Sequence, residues 1–86
     1  MRYRIVYSDQ IDRKAFKRLP KKDLVRIRKA IEVKLTSDPE LFGKPLRHSL
    51  KGLRSLRIGD YRVIFVIQKQ EVQILAIAHR STVYDS

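Results

Sequence analysis

The sequence predicts an α+β domain: a helical hairpin packed on one face of a small, mostly antiparallel sheet, in the order β-α-α-β-β-β. Three observations carry this. Residues 2–7 alternate apolar and polar side chains like a half-buried strand. Leu24, Ile27, Ile31 and Leu35 recur at spacings of three, four and four, the stripe of an amphipathic helix. The last third alternates again around Gly59-Asp60, a two-residue hairpin signal, because such turns need positive φ at a central position.

In the first strand Arg2, Arg4 and Val6 fall on one side and Tyr3, Ile5 and Tyr7 on the other. Ser8 or Asp9 is placed to cap a short helix with apolar positions Ile11, Ala15, Phe16 and Leu19. Pro20 ends that helix or starts the next. In the second helix Lys22, Arg26 and Lys29 lie opposite the apolar stripe. Thr36-Ser37-Asp38-Pro39 closes it. Residues 38–48 then read as a loop whose Leu41, Phe42 and Leu46 tuck against the core. Strands follow over roughly 50–58, 61–68 and 71–78, on the same alternation argument. Leu56, Ile58, Tyr61, Val63, Phe65 and Ile67 share the side that meets the helices. Ser55, Arg57, Arg62, Ile64 and Val66 share the other, expected to be an open concavity.

Residues 1–86 read as one domain with no linker, repeat or low-complexity segment. No apolar stretch approaches the ~18 residues that span a bilayer, and the first residues lack the apolar core of a signal peptide. Cysteine is absent, which excludes a disulfide scaffold and thiolate metal ligation and suits a reducing cytoplasm. The net charge is +11, and residues 13–34 hold ten basic and two acidic side chains. Such an excess attracts polyanions through counterion release, which points to nucleic acid, although a solvated helix face has the same composition.

With Gly59 and Asp60 as the turn, Ile58 faces Tyr61 and Arg57 sits directly opposite Arg62. Like charges in that position destabilise a ladder. The pairing therefore predicts an anionic ligand, and guanidinium matches phosphate through two parallel hydrogen bonds. Asp60 and Glu71 are alternative counter-ions for Arg62.

Three segments in order carry a resemblance: Leu50-Lys51-Gly52, then Leu56-Arg57-Ile58-Gly59-Asp60-Tyr61-Arg62-Val63-Ile64-Phe65, then Ala78-His79-Arg80 ending in Val83-Tyr84. A basic chain of this length with these segments resembles the toxins of the RelE/ParE superfamily, from type II toxin–antitoxin systems, with the RelE branch favoured. The likeness spans nearly the whole chain, and its specific motifs lie in residues 50–84. The resemblance implies a cytoplasmic toxin, monomeric when free, held by a cognate acidic antitoxin. In the RelE branch it implies a metal-independent endoribonuclease that cleaves mRNA on the ribosome, with no cofactor. The ParE branch implies inhibition of DNA gyrase without nuclease activity. A small RNA-binding domain without catalysis is the third reading.

Within the resemblance Arg62, Arg80 and Tyr84 match the catalytic positions. Arg62 and Arg80 would neutralise charge on the phosphorane, and Tyr84 would stack on a base or hold the attacking hydroxyl. Arg57, Lys51 and Arg54 are expected to hold phosphate, and Lys22, Arg26 and Lys29 to add affinity. Arg54 faces away from the clamp by alternation, and a bulge at Gly52 would bring it or Lys51 into the site. Family members carry lysines on the strand before the hairpin, where this chain has Leu53 and Ser55. The general base is thus left unassigned. His79 is an imidazole that should oppose Arg80 across the strand, and reads as structural, as do Tyr3 and Tyr61. His48 lies in the loop before the hairpin.

Overall fold

The fold is taken from a computed structural model that describes residues 2–9, 11, 17–46 and 52–79. Strand β1 covers Arg4–Tyr7. Helix α1, Lys21–Ala30, continues without interruption as a π-helical turn over Ile31–Leu35. A one-turn helix α2 follows at Pro39–Phe42, then β2 at Lys44–Pro45, β3 at Arg54–Ile58, β4 at Tyr61–Gln68 and β5 at Glu71–His79. The strands form one sheet in the order β1-β5-β4-β3-β2. Among the described residues β1 pairs with β5 in parallel and the other pairs are antiparallel.

The apolar stripe of α1 makes the core. Ile27, Ile31 and Leu35 are fully buried against Leu56, Ile58, Val63, Phe65, Val72 and Ile74 from the sheet. Pro20 precedes the helix with extended backbone, and its carbonyl accepts the Leu24 N–H at 3.0 Å. The helix closes through side chains: Thr36 Oγ donates to the Glu32 carbonyl and Ser37 Oγ to the Val33 carbonyl. Of the first helix expected over 11–19, residues 17 and 18 are helical, Ile11 and Leu19 pack on the core, and 12–16 lie outside the described residues.

The loop expected over 38–48 is more structured than the sequence suggested. Pro39 starts α2, where it has no N–H to leave unpaired, and the Asp38 carbonyl accepts the N–H groups of Leu41 and Phe42 at 3.1 Å. Lys44 and Pro45 then pair with Ser55 and Arg54, adding a strand to the sheet. Leu41 and Phe42 do not tuck inward; Leu41 is 74% exposed, and Pro39 and Gly43 are buried in their place. An ideal Cβ on Gly43 would lie 2.1 Å from Phe65 Cζ, so only glycine lets the chain pass over that ring. The third strand begins at Arg54, later than the expected 50, and Gly52 at φ +69° bends the chain just before it.

A β-bulge lies at Leu75. Phe65 pairs with Ile74 and Ile64 with Ala76, so Leu75 is the extra residue. Before it Val72 and Ile74 face the helix; after it Ile77 and His79 do, opposite Val63 and Tyr61.

Candidate nucleic-acid interface

The β3–β4 hairpin positions the arginine pair. Gly59 has φ +59°, which supplies the turn, and Ile58 pairs with Tyr61. Arg57 is then the register partner of Arg62, as the sequence predicts. Both sit on the sheet face away from α1, with Ser55, Ile64, Val66, Gln73, Ala76 and Ala78, none of which is fully buried. Among the described residues the helices pack on the other face. Arg57 Nε donates to the Gly59 carbonyl at 3.4 Å, a weak bond that folds its guanidinium back over the turn. Glu71, a possible counter-ion for Arg62 by sequence, pairs with Gln68 at the other end of β4, and its carboxylate binds Arg4.

The helix side of the same hairpin is locked by polar contacts. Tyr61 Oη donates to Asp23 Oδ2 at 2.8 Å, and the His79 ring stands edge-on to Tyr61 with centroids 5.2 Å apart. The bond to Asp23 raises the Tyr61 pKa above its ordinary 10.0, with desolvation and the Asp23 and Asp60 charges adding to it. Tyr61 and His79 thus serve packing, as the sequence suggests for both. A small cavity of about 100 Å³ sits beside them, lined by Asp23, Arg26, Ile27, Ile58, Asp60, Tyr61 and His79.

The other candidates separate. Lys22, Arg26 and Lys29 are all exposed on α1, but they are not equivalent. The Arg26 guanidinium reaches the hairpin, with Nη1 3.2 Å from where a Gly59 Cβ would stand. No periodicity argument reveals that approach, since it depends on how the helix crosses the turn. Arg54 does not join the clamp. It pairs with Phe65 on the helix side, and its Nη1 donates to the Gly43 carbonyl at 3.1 Å and more weakly to that of Glu40. The bend at Gly52 leaves Arg54 in strand register and does not turn it into the site. Ser55 lies opposite Ile64 on the arginine face. Lys51, Arg80, Tyr84 and His48 lie outside the described residues.

Residues 12–84 match the family model for the ParE toxin of type II toxin–antitoxin systems. The chain belongs to the RelE/ParE toxin superfamily. It is similar to Toxin RelE of Mycobacterium tuberculosis, 42% identical over 69 residues, covering 78% of this chain and 71% of that one. It is also 40% identical over 52 residues to Toxin RelG of the same organism, covering 58% and 60% of the two chains. Among solved structures, the toxin–antitoxin complex RelBE2 of M. tuberculosis contains a chain matching at TM-score 0.77 and 31% identity, over 93% of this chain and all of that one. The archaeal RelE–RelB complex of Pyrococcus horikoshii matches at TM-score 0.65 and 29% identity, over 96% and 100%. This RelE/ParE toxin has the fold its sequence resemblance implied, and these relatives place it on the RelE side.

Proposed function

We propose that this toxin is a metal-independent endoribonuclease that cleaves mRNA on the ribosome, by attack of the ribose 2′-oxygen on the adjacent phosphorus. The observation that carries the reading is the cross-strand pairing of Arg57 with Arg62 on the face that, among the described residues, the helices leave uncovered. Two arginines opposite one another at one register position concentrate positive charge on one patch of the sheet, and a phosphodiester gaining negative charge in the transition state is the ligand such a patch favours. Arg62 stabilises the phosphorane and Arg57 holds the flanking phosphate. Arg80 and Tyr84 enter on the family resemblance. The basic chain binds an acidic antitoxin in the cytoplasm, in keeping with the toxin–antitoxin complexes of M. tuberculosis and P. horikoshii to which it is similar.

The test is cut-site appearance on a translating message, read by primer extension. Arg62→Ala and Arg80→Ala should each slow cleavage by about 10²–10³, the cost of losing one preorganised donor from a developing oxyanion. Unchanged melting temperature and retained antitoxin binding exclude misfolding as the cause. Full cleavage by folded Arg62→Ala protein overturns the assignment. The ParE description of the matching family model favours gyrase inhibition as the second reading. A supercoiling assay with purified gyrase separates the two.

A further inference from the structure

The arginine face has a second basic pole that the proposed chemistry does not use. At the far end of the sheet, Arg2, Arg4 and Lys69 surround an open cleft of about 890 Å³ completed by Gln68, Gln70 and Glu71. Arg4 pairs with Glu71 and Gln68 with Glu71 in the ladder, so this cleft lies on the face that carries Arg62 and Val66. Arg4 is ion-paired to Glu71, which leaves the group of Arg2, Arg4, Lys69 and Glu71 with a net charge of +2. Between the two poles the face is uncharged: Ile64, Val66, Ala76 and a side-chain bond from Gln73 Nε2 to Gln68 Oε1.

We propose that the cleft at Arg2 and Lys69 is a second phosphate-binding site for the same RNA strand, several nucleotides from the scissile bond. This rests on the nucleic-acid reading of the arginine face. Six residue steps of β4 separate Arg62 from Gln68, about 20 Å at ~3.3 Å per residue. A stacked single strand rises ~3.4 Å per nucleotide, so about six nucleotides bridge the poles, fewer if extended. The pattern of cationic ends and an apolar middle suits a polymer with a regular anionic backbone and flat faces. The glutamine amides near the far pole offer donors and acceptors for base edges, which an acidic peptide does not match.

The test uses full-length protein and 2′-O-methyl oligonucleotides, which bind but cannot be cut: a decamer and a trimer, titrated over a range of salt. The far-pole variant is Arg2→Ala combined with Lys69→Gly. Lys69 has φ +56°, so glycine removes its charge while relieving the backbone. The decamer should bind wild type more tightly than the trimer does. The double variant should lose about tenfold in decamer affinity, with a log–log salt slope flatter by up to about 1.4, from ~0.7 per lost phosphate contact. Trimer binding should be unchanged by that variant and lost in Arg62→Ala. Equal affinity for the two lengths, or a decamer indifferent to the double variant, overturns the second site alone. Absence of binding by either oligonucleotide overturns the nucleic-acid reading with it. Far-pole-dependent binding of an oligoglutamate in place of the decamer would assign the cleft to a protein and overturn the proposal.

Discussion

Tyr61 and Asp23 tie the β3–β4 hairpin to the helix: the phenol donates to the carboxylate at 2.8 Å, 38 residues away in sequence. The bond holds the first residue of β4 immediately beside Arg62, and so fixes the strand that presents the clamp.

That bond has an alkaline signature. The Tyr61 pKa is raised above 10.0 first by its bond to Asp23, and that of Tyr7 by burial, partly offset by Arg28. Each phenol therefore keeps its proton in the folded chain at a pH where the unfolded chain has lost it. Their stabilisation is complete below about pH 10 and falls as pH rises through the folded values. Urea unfolding between neutral and strongly alkaline pH should show wild type losing stability more steeply than Tyr61→Phe. Parallel pH profiles would show that the bond contributes nothing.

Gly43→Ala should be among the most damaging small substitutions in the described chain. The added methyl would stand 2.1 Å from Phe65 Cζ, and that ring is fully buried in the core. Overpacking of this kind costs about 1–3 kcal/mol. Chemical denaturation measures it, and a second change of Phe65→Leu should recover part of the loss by vacating the contact.

Arg54→Ala should reduce stability without touching cleavage. Its guanidinium bonds the Gly43 carbonyl at 3.1 Å and secures the junction of α2 and β2. Loss of one charged donor to a part-buried carbonyl costs about 1.5–3 kcal/mol. Cleavage per folded molecule, compared below the melting temperature, should equal wild type. A lower rate at full folding would return Arg54 to the phosphate-binding group.

Lys22→Ala, Arg26→Ala and Lys29→Ala should weaken RNA or ribosome binding and flatten its salt dependence, by at most ~0.7 log units per lost contact to a single strand. Because Arg26 alone reaches the hairpin turn, its single variant should also lower the melting temperature, while Lys22→Ala and Lys29→Ala leave it unchanged. Binding affinity and melting curves on the three single variants distinguish these roles. Equal melting temperatures for all three would show that the Arg26 contact at Gly59 does not stabilise the turn.

The sequence by itself determined the parts of this protein that local periodicity and turn chemistry encode. The stripe at Ile27, Ile31 and Leu35, the Gly59-Asp60 turn, and hence the Arg57–Arg62 pairing all follow from spacing, because a two-residue turn leaves a hairpin no freedom of register. Pairing between distant segments was decided only in three dimensions. The parallel match of β1 to β5 carries Arg4 to Glu71 and builds the far basic cleft, and no local signal specifies which strand an edge strand joins. The extra residue at Leu75 shifts β5 by one and turns His79 towards Tyr61; in a strand without it, strict alternation would send His79 to the arginine face. Arg26 and Arg54 were read as phosphate-binding cations without their contacts to the turn and to Gly43 for the same reason: a side chain's partner across 11 or 33 residues depends on how the layers cross, a property of packing and not of the chain's local pattern.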